Sequence, residues 1–273
     1  MLLKNRGNIG KKAIFVTMRI NFTVLLLFVS LVGYSQKFRF NSSIGTSIIS
    51  WHENQATFDF GAEISFQKPD KKQRYFIALK TLGNLSSSTI DRNQYTFIEP
   101  PLNNYNQPIT ATEPLYSQYR GGQAEAGIIW NTQNKSNKAR LIPSLSLYSK
   151  SIGRKINSSR RDYIEEEKYS LHGLSAGIGV LVPGKTSLNL QVKVFEPFFE
   201  EVTLYGRYVG VPYQRLVSKK VPNYKAKLDI VNGKFGLGLE VEILNLGGAD
   251  NTNSKSNQTS QALIPSTLLT YFF

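Results

Sequence analysis

Cysteine is missing from this chain of 273 residues, and histidine occurs only twice. The absence of cysteine excludes disulfide bonds, cysteine-type zinc sites and thiol nucleophiles, although it fits any cellular compartment. Long hydrophobic runs are also scarce, because the most apolar stretch, residues 22–32, holds about 11 residues where a membrane-spanning helix needs roughly 20. These absences exclude a disulfide-stapled domain and argue against a helical membrane anchor.

Acidic residues are outnumbered: 19 aspartates and glutamates stand against 33 lysines and arginines, for a formal net charge of +14. Residues 1–36 hold five of the basic residues and no acidic one, which leaves 33 − 5 = 28 basic and 19 acidic side chains beyond them. This surplus favours anionic partners such as membrane lipid headgroups, lipopolysaccharide or acidic solutes. The sequence contains no nucleic-acid-binding motif, so we expect no nucleic-acid partner.

Residues 18–36 have the three parts of a secretory signal: Arg19 as a basic start, an apolar run, and small residues ahead of a cut after Ser35. We therefore predict a signal peptide over residues 1–35, starting at either Met1 or Met18. A retained N-terminal anchor is the alternative, but the apolar run is too short to span a bilayer as a helix. Residues 36–273 show no linker and are expected to form one domain.

The mature chain alternates between apolar and polar residues with a period of two, the pattern of β-strands. The clearest case is the apolar series Ala56, Phe58, Phe60, Ala62, Ile64 and Phe66, which is interleaved with polar residues and Gly61. The pattern predicts an all-β fold of ten strands, at residues 37–50, 55–67, 74–83, 119–131, 140–151, 168–182, 186–196, 223–231, 234–245 and 260–273. Because residues 197–222 contain further apolar positions, twelve strands is the alternative.

The connections between these segments alternate in length along the chain. The short connections are residues 68–73, 132–139 and 183–185 and the Asn232-Gly233 hairpin, a type I′ signal. The other connections, apart from residues 51–54, are long: 84–118, 152–167, 197–222 and 246–259. Short turns at one end and long loops at the other are typical of a transmembrane antiparallel up-and-down β-barrel.

The polar parity of the strands carries many charges, too many to bury in an apolar core at acceptable desolvation cost. We expect these side chains to line a polar lumen: Asp59, Glu63, Lys80, Glu125, Lys150, Gln191, Lys193, Lys225, Lys227, Asp229, Glu240 and Glu242. The list holds both signs, which favours a salt-bridge network across a narrow bore; the other interpretation is a selective pore whose Lys193, Lys225 and Lys227 attract anions. A soluble β-sandwich with this face in water is the alternative fold.

The sequence SQALIPSTLLTYFF at residues 260–273 places Leu269, Tyr271 and Phe273 at alternating positions. This segment resembles the terminal strand of bacterial outer-membrane β-barrel proteins, and the chain resembles the porin-like or outer-membrane-protein-A-like barrel superfamily. The resemblance implies an outer-membrane location and recognition of Leu269, Tyr271 and Phe273 by the barrel-assembly machinery. It implies no catalytic or binding residue.

Three functions fit these features. The first is a structural or binding barrel, or a narrow small-solute pore, in which basic residues such as Arg154, Lys155, Arg160 and Arg161 either bind lipopolysaccharide phosphates or remain solvated. The second is an outer-membrane hydrolase of lipid or peptide, in which His52 and an acid such as Asp91 or Asp162 activate water. A catalytic pair of His172 and Ser175 is not expected, because the two residues fall on opposite faces of their strand. The third is an accessory subunit of a secretion or assembly machine. We expect no enzyme activity, cofactor or metal.

Overall fold

A computed structural model describes residues 37–51, 53–67, 71–85, 87–90, 114–131, 138–158, 163–205, 212–217, 221–245 and 261–273. The predicted signal peptide, residues 1–35, lies outside the described residues, as do most of the predicted loops 84–118 and 246–259. The described chain is all-β, as the alternation predicts. None of its described residues belongs to a helix long and apolar enough to cross a membrane.

Ten long strands form a closed antiparallel barrel, in which each strand pairs with its sequence neighbours and β1 pairs with β13 to complete the ring. The predicted count of ten is therefore confirmed. The barrel strands are β1 (Lys37–Ser50), β2 (Asn54–Gln67), β3 (Gln73–Asn84), β5 (Leu115–Trp130), β7 (Ser144–Ser158), β8 (Tyr163–Val182), β9 (Thr186–Tyr205), β11 (Asn223–Asn232), β12 (Phe235–Asn245) and β13 (Gln261–Phe272).

Three short strands continue the barrel strands without adding to their number. β4 (Ser88–Ile90) pairs with β5 beyond the end of β3, and β6 (Arg140–Leu141) pairs with β8 ahead of β7. β10 (Pro212–Val217) pairs with residues 201–205 of β9, on the same edge of β9 where β11 pairs with residues 186–195. The apolar positions within residues 197–222 therefore extend existing strands, and the alternative of twelve strands is wrong.

The two ends of the barrel differ in their connections. The turn end carries the connections that follow β2, β5, β8 and β11, together with Phe273; the loop end carries the others. The hairpin between β11 and β12 lies one residue later than predicted, because Asn232 pairs with Phe235 and the turn is Gly233-Lys234. Gly233 has a φ of 59°, in the left-handed region that glycine enters without steric cost.

An apolar belt surrounds the outside of the barrel. Its side chains are exposed, among them Phe60, Leu79, Leu147, Ile178, Leu190, Leu239 and Leu269, each at least 47% accessible. A soluble protein rarely exposes a continuous apolar surface of this extent. The belt is therefore the face that meets lipid hydrocarbon, as the sequence predicts for this parity.

Above the belt, toward the loop end, four strands continue and form a tall wall: β5, β7, β8 and β9, with 16, 15, 20 and 20 residues. On this wall the two faces exchange character. The outward positions become polar, as at Arg120 and Lys168, while Tyr119, Ile152 and Tyr169 point inward and are buried. The predicted loop 152–167 is thus wrong for residues 152–158 and 163–167, which belong to β7 and β8.

Candidate functional site

The structure places all eleven predicted charged lumen residues on the inward face, and ten of them, all but Glu63, form ion pairs. At the middle of the bore, Lys80 Nζ lies 3.0 Å from Asp59 Oδ2 and 3.3 Å from Glu240 Oε1, and Lys225 Nζ lies 3.0 Å from the same Glu240 oxygen. β12, which carries Glu240, is separated from β3 by three strands, so the contact between Lys80 and Glu240 crosses the lumen, whereas the other two contacts join adjacent strands. We use the name lumen network for these ion pairs together with those of Lys193 with Glu125, Lys150 with Glu242 and Lys227 with Asp229.

A second part of the lumen network joins β5, β7 and β9. Lys193 Nζ lies 2.6 Å from Glu125 Oε1, and Ser146 Oγ donates a hydrogen bond of 2.6 Å to the same oxygen. Lys193 and Lys225 are cross-strand neighbours, a repulsive arrangement for like charges. The carboxylates of Glu125 and Glu240 offset this repulsion.

The most buried ion pair lies nearer the loop end, between Lys150 of β7 and Glu242 of β12, whose side chains are 3% and 2% exposed. The Tyr148 hydroxyl donates to Glu242 Oε1 at 3.4 Å. Both charged groups are withdrawn from bulk water, and each depends on the other for compensation. Lys227 and Asp229, neighbours on β11, pair at 3.1 Å, whereas Glu63 has no ion pair among the described residues.

Around and above the pair of Lys150 and Glu242, side chains that the sequence analysis did not predict fill the loop-end half of the bore. Tyr148 and Phe195 lie 4.4 Å apart between ring centroids, and Trp51 and Tyr119 lie 6.2 Å apart. They belong to an aromatic cluster of buried residues: Ile49, Trp51, Tyr119, Tyr148, Ile152, Tyr169, Leu171, Phe195, Val202, Leu204, Leu244, Ala262 and Ile264. The cluster packs the loop-end half of the barrel as the core of a soluble barrel is packed.

Arg154 completes the closure at the loop end. It pairs with Glu53, in the connection between β1 and β2, and lies 3.9 Å from Glu167. Tyr119 Oη and Ser117 Oγ donate to the same Glu53 carboxylate, at 3.1 and 3.0 Å. The prediction that Arg154 lies in a surface loop is therefore wrong. Its shared parity with Lys150 was the signal that could have found it.

A cavity of about 690 Å³ occupies the turn-end half of the bore, below the lumen network. Its lower rim is formed by residues of the turns, including Asn131, Gly184 and Lys234, and its upper boundary by Lys80, Glu125 and Lys193. The described part of the lumen is thus closed by side chains toward the loop end and hollow toward the turn end.

The candidate catalytic histidines do not form a site in the described part of the chain. His52, Asp91 and Asp162 lie outside the described residues, as does Arg160 with Arg161. His172 points outward at the upper edge of the belt, where its ring lies 5.5 Å from that of Phe199. Ser175, only 1% exposed, points into the barrel on the opposite face, as predicted.

The terminal residues proposed as an assembly signal lie on the outer surface at the turn end. Leu269 is 61% exposed, and the rings of Tyr271 and Phe273 meet edge to face at 4.6 Å. The backbone nitrogen of Phe273 donates to the carbonyl oxygen of Phe40 at 3.0 Å, which extends the seam between β13 and β1. These side chains are accessible to lipid and to protein partners.

A closed ring of ten antiparallel strands, apolar toward the outside and polar within, defines the chain as a transmembrane β-barrel. No protein-family model and no curated protein matches the sequence. Among solved structures, the chain is similar to the outer membrane protease OmpT from Escherichia coli, with 13% identity, coverage of 88% of this chain and 94% of that chain, and a TM-score of 0.46.

It is also similar to the translocator domain of the autotransporter NalP from Neisseria meningitidis, with 11% identity, coverage of 96% and 97%, and a TM-score of 0.45. Ail, the attachment invasion locus protein of Yersinia pestis, has 8% identity, coverage of 88% and 100%, and a TM-score of 0.36. Identities and scores this low carry no argument about activity. The fold follows from the strand order of the chain itself.

Proposed function

We propose that the chain is an outer-membrane protein that works as a structural or binding barrel and not as an open pore. The observation that carries this proposal is the closure of the bore by the lumen network and the aromatic cluster. Ten strands enclose a narrow interior that side chains can fill, whereas general porins use 16 to 18. In this proposal the turn end faces the periplasm and the loop end faces outward, the usual placement of short and long connections.

Conductance tests the closure directly. In planar bilayers with concentrated potassium chloride, we expect the mature protein to show no stepwise ion current. Replacing Tyr148 and Phe195 together by alanine removes two contacting rings from the bore, so this variant should conduct. Phe235→Ala is the matched control, because Phe235 is 69% exposed on the outer face. Reproducible current steps from the unmodified protein would overturn the closed-barrel proposal.

The proposed location has its own test. An exported barrel should be recovered in the outer-membrane fraction and should migrate differently on a gel before and after boiling, because closed membrane barrels resist detergent at low temperature. Recovery in the soluble periplasm without such a shift would contradict it. The same fractionation reports whether residues 1–35 are removed, which the mass of the mature protein shows.

Lipopolysaccharide is the lipid partner that we propose for the outer wall. Arg120 and Lys168 point outward above the belt, and both face Gly153, their partner on β7. Arg120 is 60% exposed just above the belt, at the height of the lipid phosphates, and it also forms an ion pair with Glu166 at 2.8 Å. Arg120→Gln combined with Lys168→Gln should weaken co-purification of lipopolysaccharide, and unchanged retention of the lipid would contradict this assignment.

We also propose that the protein is not a hydrolase. His172 packs against Phe199 in a tilted arrangement at the lipid boundary and has no acidic hydrogen-bond partner among the described residues. The alternative predicts hydrolysis of a lipid or peptide substrate that is lost when His52 and His172 are both replaced by alanine. If such a loss occurred while the barrel remained folded on the gel, the proposal of a non-enzymatic barrel would be wrong.

A further inference from the structure

The turn-end cavity has a wall of unpaired cations. Arg39, Arg74 and Lys234 line it, and within the described residues the side chain of none of them forms an ion pair or a hydrogen bond. Arg74 Nε is buried and lacks a partner. Glu63 is the unpaired anion on the same wall, so three cations and one anion give a local surplus of two positive charges (3 − 1 = 2).

The two arginines are close to each other. Arg39 is opposite Ser65 on β2, and Arg74 is opposite Gln67 on the other side of the same strand. Two strand spacings and a stagger of two residues separate them, so their backbones lie about 12 Å apart. Side chains as long as arginine can close on one anionic group from this separation, and their planar forks match phosphate oxygens in pairs.

A second wall of the cavity is apolar. Phe76, Ile129 and Ile142 form a small buried cluster with Ala78 and Leu181 packed against it, and all five line the cavity. Phe76 follows Arg74 by two residues on β3, so the cationic and apolar walls meet along one strand. Lys193 Nζ lies 5.3 Å from the centre of the Phe76 ring. A ligand that fits both walls needs an anionic group and an apolar body.

We propose that the turn-end cavity binds an organic phosphate monoester with an apolar body, taken up from the side that the turns face. The phosphate carries about −1.5 to −2 charges near neutral pH, which matches the local surplus of cations. The cavity volume of about 690 Å³ lies within the usual range for small-molecule sites. Calling this side periplasmic depends on the proposed orientation of the barrel, whereas binding itself does not.

The first experiment measures binding of phenyl phosphate to the mature protein in lipid nanodiscs by isothermal titration calorimetry, with empty nanodiscs as the blank. Arg74→Gln and Arg39→Gln should each weaken binding about tenfold, equivalent to about 1.4 kcal/mol. Glu63→Gln removes a repulsive carboxylate from the same wall and should strengthen binding. Lys138→Gln makes the same charge change at an exposed turn-end position that does not line the cavity, and it should leave the affinity unchanged.

Each variant is first shown to keep its heat-modifiable band, so a change in affinity does not come from a loss of folding. A purely structural role would weaken binding in both variants, whereas a direct charge effect weakens it in Arg74→Gln and strengthens it in Glu63→Gln. Phenol, which lacks the anion, should not bind measurably, and inorganic phosphate should bind more weakly than phenyl phosphate. The proposal is overturned if phenyl phosphate shows no saturable binding, or if Arg74→Gln and Lys138→Gln bind it equally. It also fails if inorganic phosphate binds as tightly as the ester. These results do not depend on conductance, so a failure here leaves the closed-barrel proposal standing.

Discussion

The ion pair between Lys150 and Glu242 offers a sharp test of how dry the lumen is. The two side chains are 3% and 2% exposed and lie on β7 and β12, on opposite walls. Lys150→Met should leave the Glu242 charge buried with one hydrogen bond, from the Tyr148 hydroxyl at 3.4 Å, since its cross-strand neighbour Lys225 is paired with Glu240. Glu242→Gln should leave the Lys150 charge without its carboxylate. Removing one partner of a buried pair costs about 3–5 kcal/mol.

The double variant removes both charges and should cost about as much as one single variant. The interaction energy from the double-mutant cycle is then about 3–5 kcal/mol, since the two single losses do not add. Arg120 and Glu166 form the control cycle: Arg120 is 60% exposed, so their interaction energy should be at most about 1 kcal/mol. The effect therefore depends on burial and not on the presence of opposite charges alone.

The free energy of unfolding is measured by urea titration of the barrel in lipid vesicles, followed by tryptophan fluorescence and by the gel shift. Losses below about 1 kcal/mol for both single variants would mean that water reaches the pair. An interaction energy equal to that of the outer-wall control would lead to the same conclusion. Either result would refute the argument that this part of the lumen is filled by protein.

Three further predictions concern closure of the barrel. Gly45→Val should abolish the heat-modifiable band, because a Cβ at this position would overlap the Thr267 carbonyl oxygen across the closing seam; Gly83→Val is the control, with nothing within 4 Å of its Cβ. Gly233→Val should destabilise the hairpin by about 1–2 kcal/mol in urea titrations, since a side chain is disfavoured at a φ of 59°. Deleting Phe273 should slow insertion by the assembly machinery more than it lowers the unfolding free energy, and equal rates in a reconstituted assembly assay would contradict this.

Much of the fold could be predicted because the belt keeps one parity apolar over long segments. In β12, for example, the outward residues Leu237, Leu239 and Val241 alternate with Glu240 and Glu242, and the structure follows that pattern without a break. The count of ten and the inward placement of the charged residues follow from this regularity. The period-two alternation alone is enough to predict both features.

The tall wall could not be predicted by the same rule, because its apolar face changes side. On β9, Val192 and Val194 are exposed, yet Val202 and Leu204 have the same parity and are buried. A register shift causes this: His172 pairs with Phe199 and Gly173 with Pro197, which leaves Phe198 as an extra residue. One inserted residue exchanges the two faces of every residue that follows.

The sequence pattern also could not predict which lumen residues pair with each other. Parity shows that Lys80 and Glu240 both point inward, but the choice of partner depends on the height at which two distant strands meet. That height follows from the stagger of the closed ring, which sums the register of every intervening strand. Arg154 shows the same limit, since its partner Glu53 lies in a short connection that has no alternation.

The exchange of faces on the tall wall also fixes how deep the barrel can sit. Leu147 and Leu174 are cross-strand neighbours at the top of the belt, and the next outward pair, Ser149 and His172, is polar. Sinking the barrel further would draw charges such as Lys168 toward hydrocarbon, at a cost that rises to about 2–4 kcal/mol per cation at the midplane. Raising it would bring leucine side chains into water. The barrel is thus held at one depth, and β8 rises above the membrane surface by on the order of 20 Å, given its tilt and the rise per residue of a strand. Among the described residues, the tall wall is therefore the part of the barrel that extends farthest from the belt at the loop end.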